Sequence, residues 1–260
     1  MTTQIGSHVN VGALEQKVKA MYEQVALHPD ATFHFEMGRA LAERLGYEPG
    51  DLNAIPAAAI ESFAGVGYHF DLADLRPGEA VADLGSGSGM DTFIAAAKVG
   101  PAGAVVGIDM TDAQLAKAER LRGGIARSHV RFQKAYIEET GLPDAAFDAV
   151  ISNGVINLAA DKAAVFREAA RVLRPGGRLA ISDIVTEKPL PADVTCNVAL
   201  WAACIGGAMQ IDDYVGAIEA AGLRVRVMSA NRAYRFLSKS AEGATRTYGV
   251  RSVSLLATKG

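Results

Sequence analysis

The sequence predicts an α/β fold: a doubly wound, mostly parallel sheet of seven strands behind an N-terminal helical segment. Three observations predict it. Short apolar, β-branched runs alternate with helix-periodic stretches from residue 79 to 183, and that order builds a parallel sheet with helices on both faces. One junction, VADLGSGSGMD at 81–91, ends a strand in an acid, turns through glycines and opens a helix. The chain has 260 residues, half of them hydrophobic, which is enough to bury one full core.

The elements follow in order. Helical spacing over 12–28 puts Leu14, Val18, Met21, Tyr22 and Val25 on one stripe; over 36–46 it aligns Met37, Leu41 and Leu45. Pro29 and Asp30 separate these helices, and Pro49-Gly50 is read as the end of the second. Residues 53–71 lack a repeating pattern and are expected to be irregular and partly buried. Strands are expected at 79–84, 103–109, 130–134, 147–152 and 176–183, with helices at 89–98, 112–122 and 162–173. Pro175-Gly176-Gly177 reads as a sharp stop before the fifth strand. A helical insertion at 192–208 and a helix at 211–222 precede two last strands, 223–229 and 250–258. The organisation expected is a helical lid over 1–72 and a core over 73–260 carrying the insertion at 190–210.

Composition narrows the function. A net charge of −3 gives no support for a nucleic-acid partner. No apolar run is long enough to span a membrane, and the first residues lack the pattern of a signal peptide. Cys196 and Cys204 are the two cysteines. On one helix they would lie roughly 12 Å apart, beyond disulfide reach, so a reduced cytoplasm fits.

The glycine junction carries the chemistry. Asp83 ends the first strand, and Gly85, Gly87 and Gly89 form the loop. Such a loop leaves backbone N–H groups at a helix N-terminus facing a ligand. Asp109 ends the second strand, where an acid can accept hydrogen bonds from an adenosine ribose. A dinucleotide fingerprint, G-x-G-x-x-G, would need a third glycine at 90 or 92, which are Met90 and Thr92. The loop alone still leaves open an ordinary strand–helix turn or a degenerate NAD site. Ligands bind beyond the carboxyl ends of parallel strands. The other strand ends hold Met110 with Thr111 as a helix N-cap, then Tyr136 and Ile137, then Asn153, Gly154 and Asn157.

The pattern Asp-x-Gly-x-Gly-x-Gly at 83–89 resembles motif I of class I S-adenosylmethionine (SAM) methyltransferases, whose core is Rossmann-like. DLGSGSGMD, VVGIDMT, SNGVINL, RVLRPGGRLAISD and WAACIGGA together resemble bacterial arsenite methyltransferases over roughly residues 72–222. The resemblance implies SAM as cofactor, held by Asp83, Gly85, Ser86, Gly87, Gly89, Asp109, Met110, Tyr136, Ile137, Asn153 and Gly154. Those enzymes hold trivalent arsenic through cysteine thiolates. Here Cys204 matches one of them, Gly154 stands where another lies, and no cysteine precedes the first strand. The function expected is methyl transfer to a small-molecule acceptor, with no bound metal. The alternatives are arsenite methylation through Cys204 and Cys196, or a non-catalytic SAM-binding regulator. The acceptor-side candidates are His34 and His69, each among aromatic residues, and Cys204. Tyr136, Tyr234, Tyr248 and Trp201 are weaker ones.

Overall fold

The computed structural model describes residues 11–125, 128–195, 205–237 and 239–260. One sheet organises them, in the order β3-β2-β1-β4-β5-β8-β7. Its strands are β1 (Ala80–Leu84), β2 (Ala104–Asp109), β3 (Val130–Lys134), β4 (Phe147–Asn153), β5 (Leu173–Thr186), β7 (Leu223–Ala230) and β8 (Arg251–Lys259). β1 to β5 run parallel, and β8 lies antiparallel between β5 and β7. A two-residue eighth strand, β6 (Met209–Gln210), pairs with the end of β5.

Alternation along the central strands divides the core between two faces. Ala82, Leu84, Val106, Ile108 and Val150 face a cluster with Val165, Phe166, Tyr214 and Ile218. Val81, Val105, Ala149 and Ile151 face the other cluster, with Phe93, Ile94, Leu41, Leu52 and Phe70. Both faces are covered, which is why these strands read as nearly continuous apolar runs.

Two local readings change and a third gains detail. Pro49-Gly50 does not end the second helix. That helix, α2 (Gly38–Leu45), stops at Gly46, which is left-handed at φ +109° and donates its N–H back to the carbonyls of Ala42 and Glu43. Pro49 opens the next helix, α3 (Pro49–Asn53), where its fixed φ and missing N–H suit the first turn. Pro175-Gly176-Gly177 does not delay the fifth strand either. Leu173 already pairs with Phe147, and the ladder resumes at Ala149 and Arg178. The residues between bulge out, with Gly176 at φ +77°. Residues 53–71 are irregular over 54–56 and 62–69 and partly buried, as expected, with two short helices added, α4 (Ala57–Glu61) and α5 (Phe70–Ala73); Ile55, Ile60, Phe63 and Phe70 are buried in the same cluster as β1.

The segment before β1 therefore has two parts. From Gly38 onward it packs into the sheet's own core. Helix α1 (Val11–Leu27) contributes Val18, Val25 and Ala26 as buried apolar side chains. The connection after β7 contains a helix at Lys239–Tyr248. Of the expected insertion, Ala192–Thr195 is helical, whereas Cys196, Trp201 and Cys204 lie outside the described residues. No helix among the described residues is long and apolar enough to cross a membrane.

Candidate cofactor and acceptor site

A cavity opens at the carboxyl ends of β1, β2 and β4. Its floor is the glycine loop. Gly85 and Ser86 donate their N–H groups to the Ile108 carbonyl at 2.8 and 2.9 Å, pinning the loop to β2. Asp109 secures the next step: its carboxylate accepts from Gly87 N at 2.9 Å and from Thr111 N at 2.8 Å. Burial pushes the Asp109 carboxyl above its usual range, while these N–H donors pull the other way. The Ser86 hydroxyl is buried in the cavity wall with no hydrogen-bond partner among the described residues.

Helix α1 forms the roof. Ser88 donates to Gln114 Oε1, and Gln114 Nε2 donates to the Tyr22 carbonyl at 3.0 Å, so the loop, helix α7 (Asp112–Gly123) and α1 are linked. Val18 and Tyr22 pack with Met110 and Leu158. At the rim, the Tyr136 hydroxyl donates to Glu15, and Lys19 donates to both that hydroxyl and Glu15. The Lys19 ammonium also sits 4.6 Å from the Tyr136 ring centre. These contacts hold the Glu15 carboxyl below, and the Lys19 ammonium above, their ordinary values.

The deep end is polar and buried. Asp83 accepts from Thr92 Oγ1 at 2.6 Å. Asp91 accepts from the Tyr47 hydroxyl at 2.7 Å and from Asn153 Nδ2 at 3.3 Å. Asn153 Nδ2 also reaches Tyr47 Oη at 3.0 Å and the Gly67 carbonyl at 2.9 Å, and its Oδ1 accepts from Val66 N at 2.8 Å. Burial raises both carboxyls, and the neighbouring Asp91 charge raises Asp83 further. Two acids in one desolvated site oppose each other's ionisation.

Asp83, Gly85, Ser86, Gly87, Asp109, Met110, Tyr136, Ile137, Asn153 and Gly154 all line this cavity, and Gly89 does not. Gly89 sits at the N-cap of helix α6 (Met90–Val99) with φ +93°. A Cβ there would lie 2.7 Å from the Phe132 ring and 2.9 Å from Phe93. Gly89 thus allows the helix to start against β3. Gly89→Ala is expected to destabilise the fold by about 2–4 kcal/mol through backbone strain and overpacking, read as a lower urea midpoint; an unchanged midpoint would contradict this.

The two histidines stand apart from the cavity. His34 is exposed, its ring edge-on to Phe35 at 4.9 Å. His69 is wholly buried and stacks on Phe70 at 4.8 Å, with neither ring nitrogen hydrogen-bonded to any described residue. Tyr234 and Tyr248 pack in a separate cluster with Ile184 and Val250. Asn157 is buried and donates its backbone N–H to Asp183 instead of lining the cavity. Thr111 is the N-cap of α7 by backbone position, without a side-chain cap bond. The sequence reading did not single out Asp91, Gln114, Tyr22 or Tyr47 as site residues. Asp91 lies in the quoted motif run and Gln114 three residues beyond Thr111, so both were within reach of a helix-face count. No metal-binding cluster occurs among the described residues.

Comparison with known proteins agrees with this architecture. A family model described as "Methyltransferase domain" matches residues 75–222. An arsenite methyltransferase from Halobacterium salinarum is 39% identical over 198 residues, covering 76% of this chain and 50% of that protein. The Homo sapiens arsenite methyltransferase is 43% identical over 138 residues, covering 50% of this chain and 37% of that protein. The chain thus spans half or less of the length of these relatives. Among solved structures, an arsenic(III) S-adenosylmethionine methyltransferase from Chlamydomonas reinhardtii superposes with a TM-score of 0.64 at 32% identity, covering 86% of this chain and 74% of that one. A geranyl diphosphate C-methyltransferase from Streptomyces coelicolor shares the fold, with a TM-score of 0.65 at 18% identity over 95% of this chain and 98% of that one. On its glycine loop, its strand order and these matches, the chain belongs to the methyltransferase domain family, as a class I SAM-dependent member resembling the arsenite methyltransferases.

Proposed function

We propose that the chain transfers a methyl group from SAM to a small-molecule acceptor. The observation that carries this reading is the convergence of the glycine loop, Asp109 and the acidic deep end on one roofed cavity. The site suits the cofactor. Asp109 offers acceptor lone pairs beside the loop, Ser86 Oγ is buried without a partner among the described residues, and Met110 and Ile137 supply apolar walls. Held by the glycine loop, Asp109 and the Met110 and Ile137 walls, SAM would supply an already activated methyl group for displacement by an acceptor lone pair. The protein's share is alignment and exclusion of water. Helix α1 serves both through its links to Gln114 and Tyr136, and we assign the lid role to that helix. Residues 38–73, and His69 with them, belong to the supporting core.

Arsenite is the acceptor named for the relatives, and their 39–43% identity keeps it as the second reading. The chain's own residues argue against it. Soft thiolates are the ligands that suit soft metal ions, and this sequence has two cysteines. Gly154, at the position where the family resemblance places a cysteine, sits at φ +72°, and a Cβ there would come within 3.1 Å of Val66. A cysteine could not enter that backbone without strain. Incubation of the purified protein with SAM and arsenite is therefore expected to yield little or no methylated arsenic by mass spectrometry. Robust turnover would instead establish the second reading. A parallel panel of amines, alcohols, phenols and thiols tests the first: methylated product from any member supports it, and S-adenosylhomocysteine (SAH) failing to bind contradicts it.

A further inference from the structure

The charged side chains lining the cavity, among the described residues, are Glu15, Asp83, Asp91, Asp109 and Glu138; no lysine, arginine or histidine is among them. The nearest cations are engaged elsewhere. Lys19 is held at the rim by Glu15 and Tyr136. Lys117 donates to Ser62 Oγ at 2.7 Å, and Lys162 to the Ala159 carbonyl at 2.9 Å.

The acids differ in where they offer acceptors. Glu15 has its lysine at the rim, and Asp109, each oxygen accepting from one backbone N–H, keeps its remaining lone pairs beside the glycine loop. Asp91 is buried in the first turn of α6 and has neutral partners, Tyr47 on Oδ1 and a longer contact from Asn153 on Oδ2. Tyr47 is boxed by Phe63, Tyr68 and Phe70, with ring centres 5.2, 4.9 and 6.0 Å away. Its hydroxyl proton is therefore committed to Asp91, and burial beside that acid keeps it a donor. Asp91 is left presenting acceptor lone pairs to the cavity. Gly65 lines the same corner, where a Cβ would fall 2.7 Å from Asn153 Nδ2 and 2.3 Å from the Phe63 ring. The glycine keeps that corner open between an aromatic wall and the acid. Ser86 Oγ, buried and unpartnered, is a second polar group on the same cavity.

We propose that the corner formed by Asp91, Asn153, Phe63 and Gly65 receives the methyl acceptor and selects an uncharged or cationic hydrogen-bond donor, such as an amine or alcohol, over a carboxylate or phosphate. An N–H or O–H group satisfies the Asp91 lone pairs, and the proton that the amine or alcohol gives up as its lone pair bonds to the methyl group passes to the Asp91 carboxylate. An anion meets an uncompensated carboxylate in a low-dielectric site, and like charges so placed strongly disfavour binding. The inference rests on the methyltransferase reading above and adds the acceptor class to it.

The test uses the full chain. SAH is first titrated by calorimetry, and the SAH-loaded protein is then titrated with benzylamine, benzyl alcohol and benzoate at neutral pH. Benzylamine and benzyl alcohol are expected to bind about tenfold or more tightly than benzoate. Asp91→Asn, which keeps the shape, is expected to shrink the amine preference to about threefold or less while SAH affinity stays within about threefold. Benzoate binding as well as benzylamine, or no probe binding at all, overturns the inference, and the wild-type arm alone decides this if the variant does not fold. An Asp91→Asn loss of SAH affinity of about tenfold or more also overturns it, because Asp91 would then belong to the cofactor end. Failure of the wild-type protein to bind SAH is a different result: it removes the methyltransferase reading, and this inference with it.

Discussion

Asp109→Ala is expected to weaken SAM binding by about 1.5–3 kcal/mol, roughly a ten- to hundredfold rise in Kd. Two losses add. The cofactor forfeits a carboxylate acceptor at the end of β2, and the N–H groups of Gly87 and Thr111 lose the partner that shapes the loop and the start of α7. Asp109→Asn retains one carbonyl acceptor and should lose less. Calorimetric titration of the three proteins checks the order. Equal affinities in all three would mean that Asp109 only braces the fold.

The second large effect concerns acid stability. Burial holds the His69 imidazole down at about 3, against an ordinary value of 6.5. A histidine kept neutral in the fold must stay uncharged for the fold to persist. Its folded value lies below its unfolded one, so its contribution is fully present above pH 6.5 and is lost progressively as pH falls toward 3. Asp83 and Asp91 act in the opposite sense: their raised carboxyls favour the fold as pH falls. A difference measurement cancels them. Urea unfolding of wild type and His69→Phe at pH 7 and pH 4 should show the variant gaining roughly 3 kcal/mol on wild type at the lower pH. Parallel losses in the two proteins would contradict the neutral, unpartnered state of His69.

The legible parts of this molecule were those fixed by neighbours in sequence. Strand periods placed β1 to β5 within a few residues, and the Asp83–Gly89 loop with Asp109 located the cavity. The misreadings share a physical cause. Pro49 can stop one helix or start the next, and the left-handed Gly46 decided between them. Pro175-Gly176-Gly177 can interrupt a strand or bulge from it, and pairing across to β4 decided that. Gly89 carries the motif spacing, yet its freedom serves the packing of Phe93 and Phe132. Of the Tyr47–Asp91–Asn153 network the sequence pointed to Asn153 alone; the pairing was not legible, because Tyr47 lies 44 and 106 residues from its two partners. The same holds for α1, whose roof depends on Gln114 reaching back to Tyr22 across 92 residues. His34 and His69 drew attention because histidines often carry proton chemistry. Only tertiary structure showed one exposed away from the cavity and the other sealed against Phe70.

Titration of the purified chain with SAM and, separately, with NAD by isothermal calorimetry tests the central claim most directly. The loop spacing at Gly85, Gly87 and Met90, with Asp109 beneath it, predicts saturable SAM binding and no heat from NAD. Binding of NAD without SAM would contradict it.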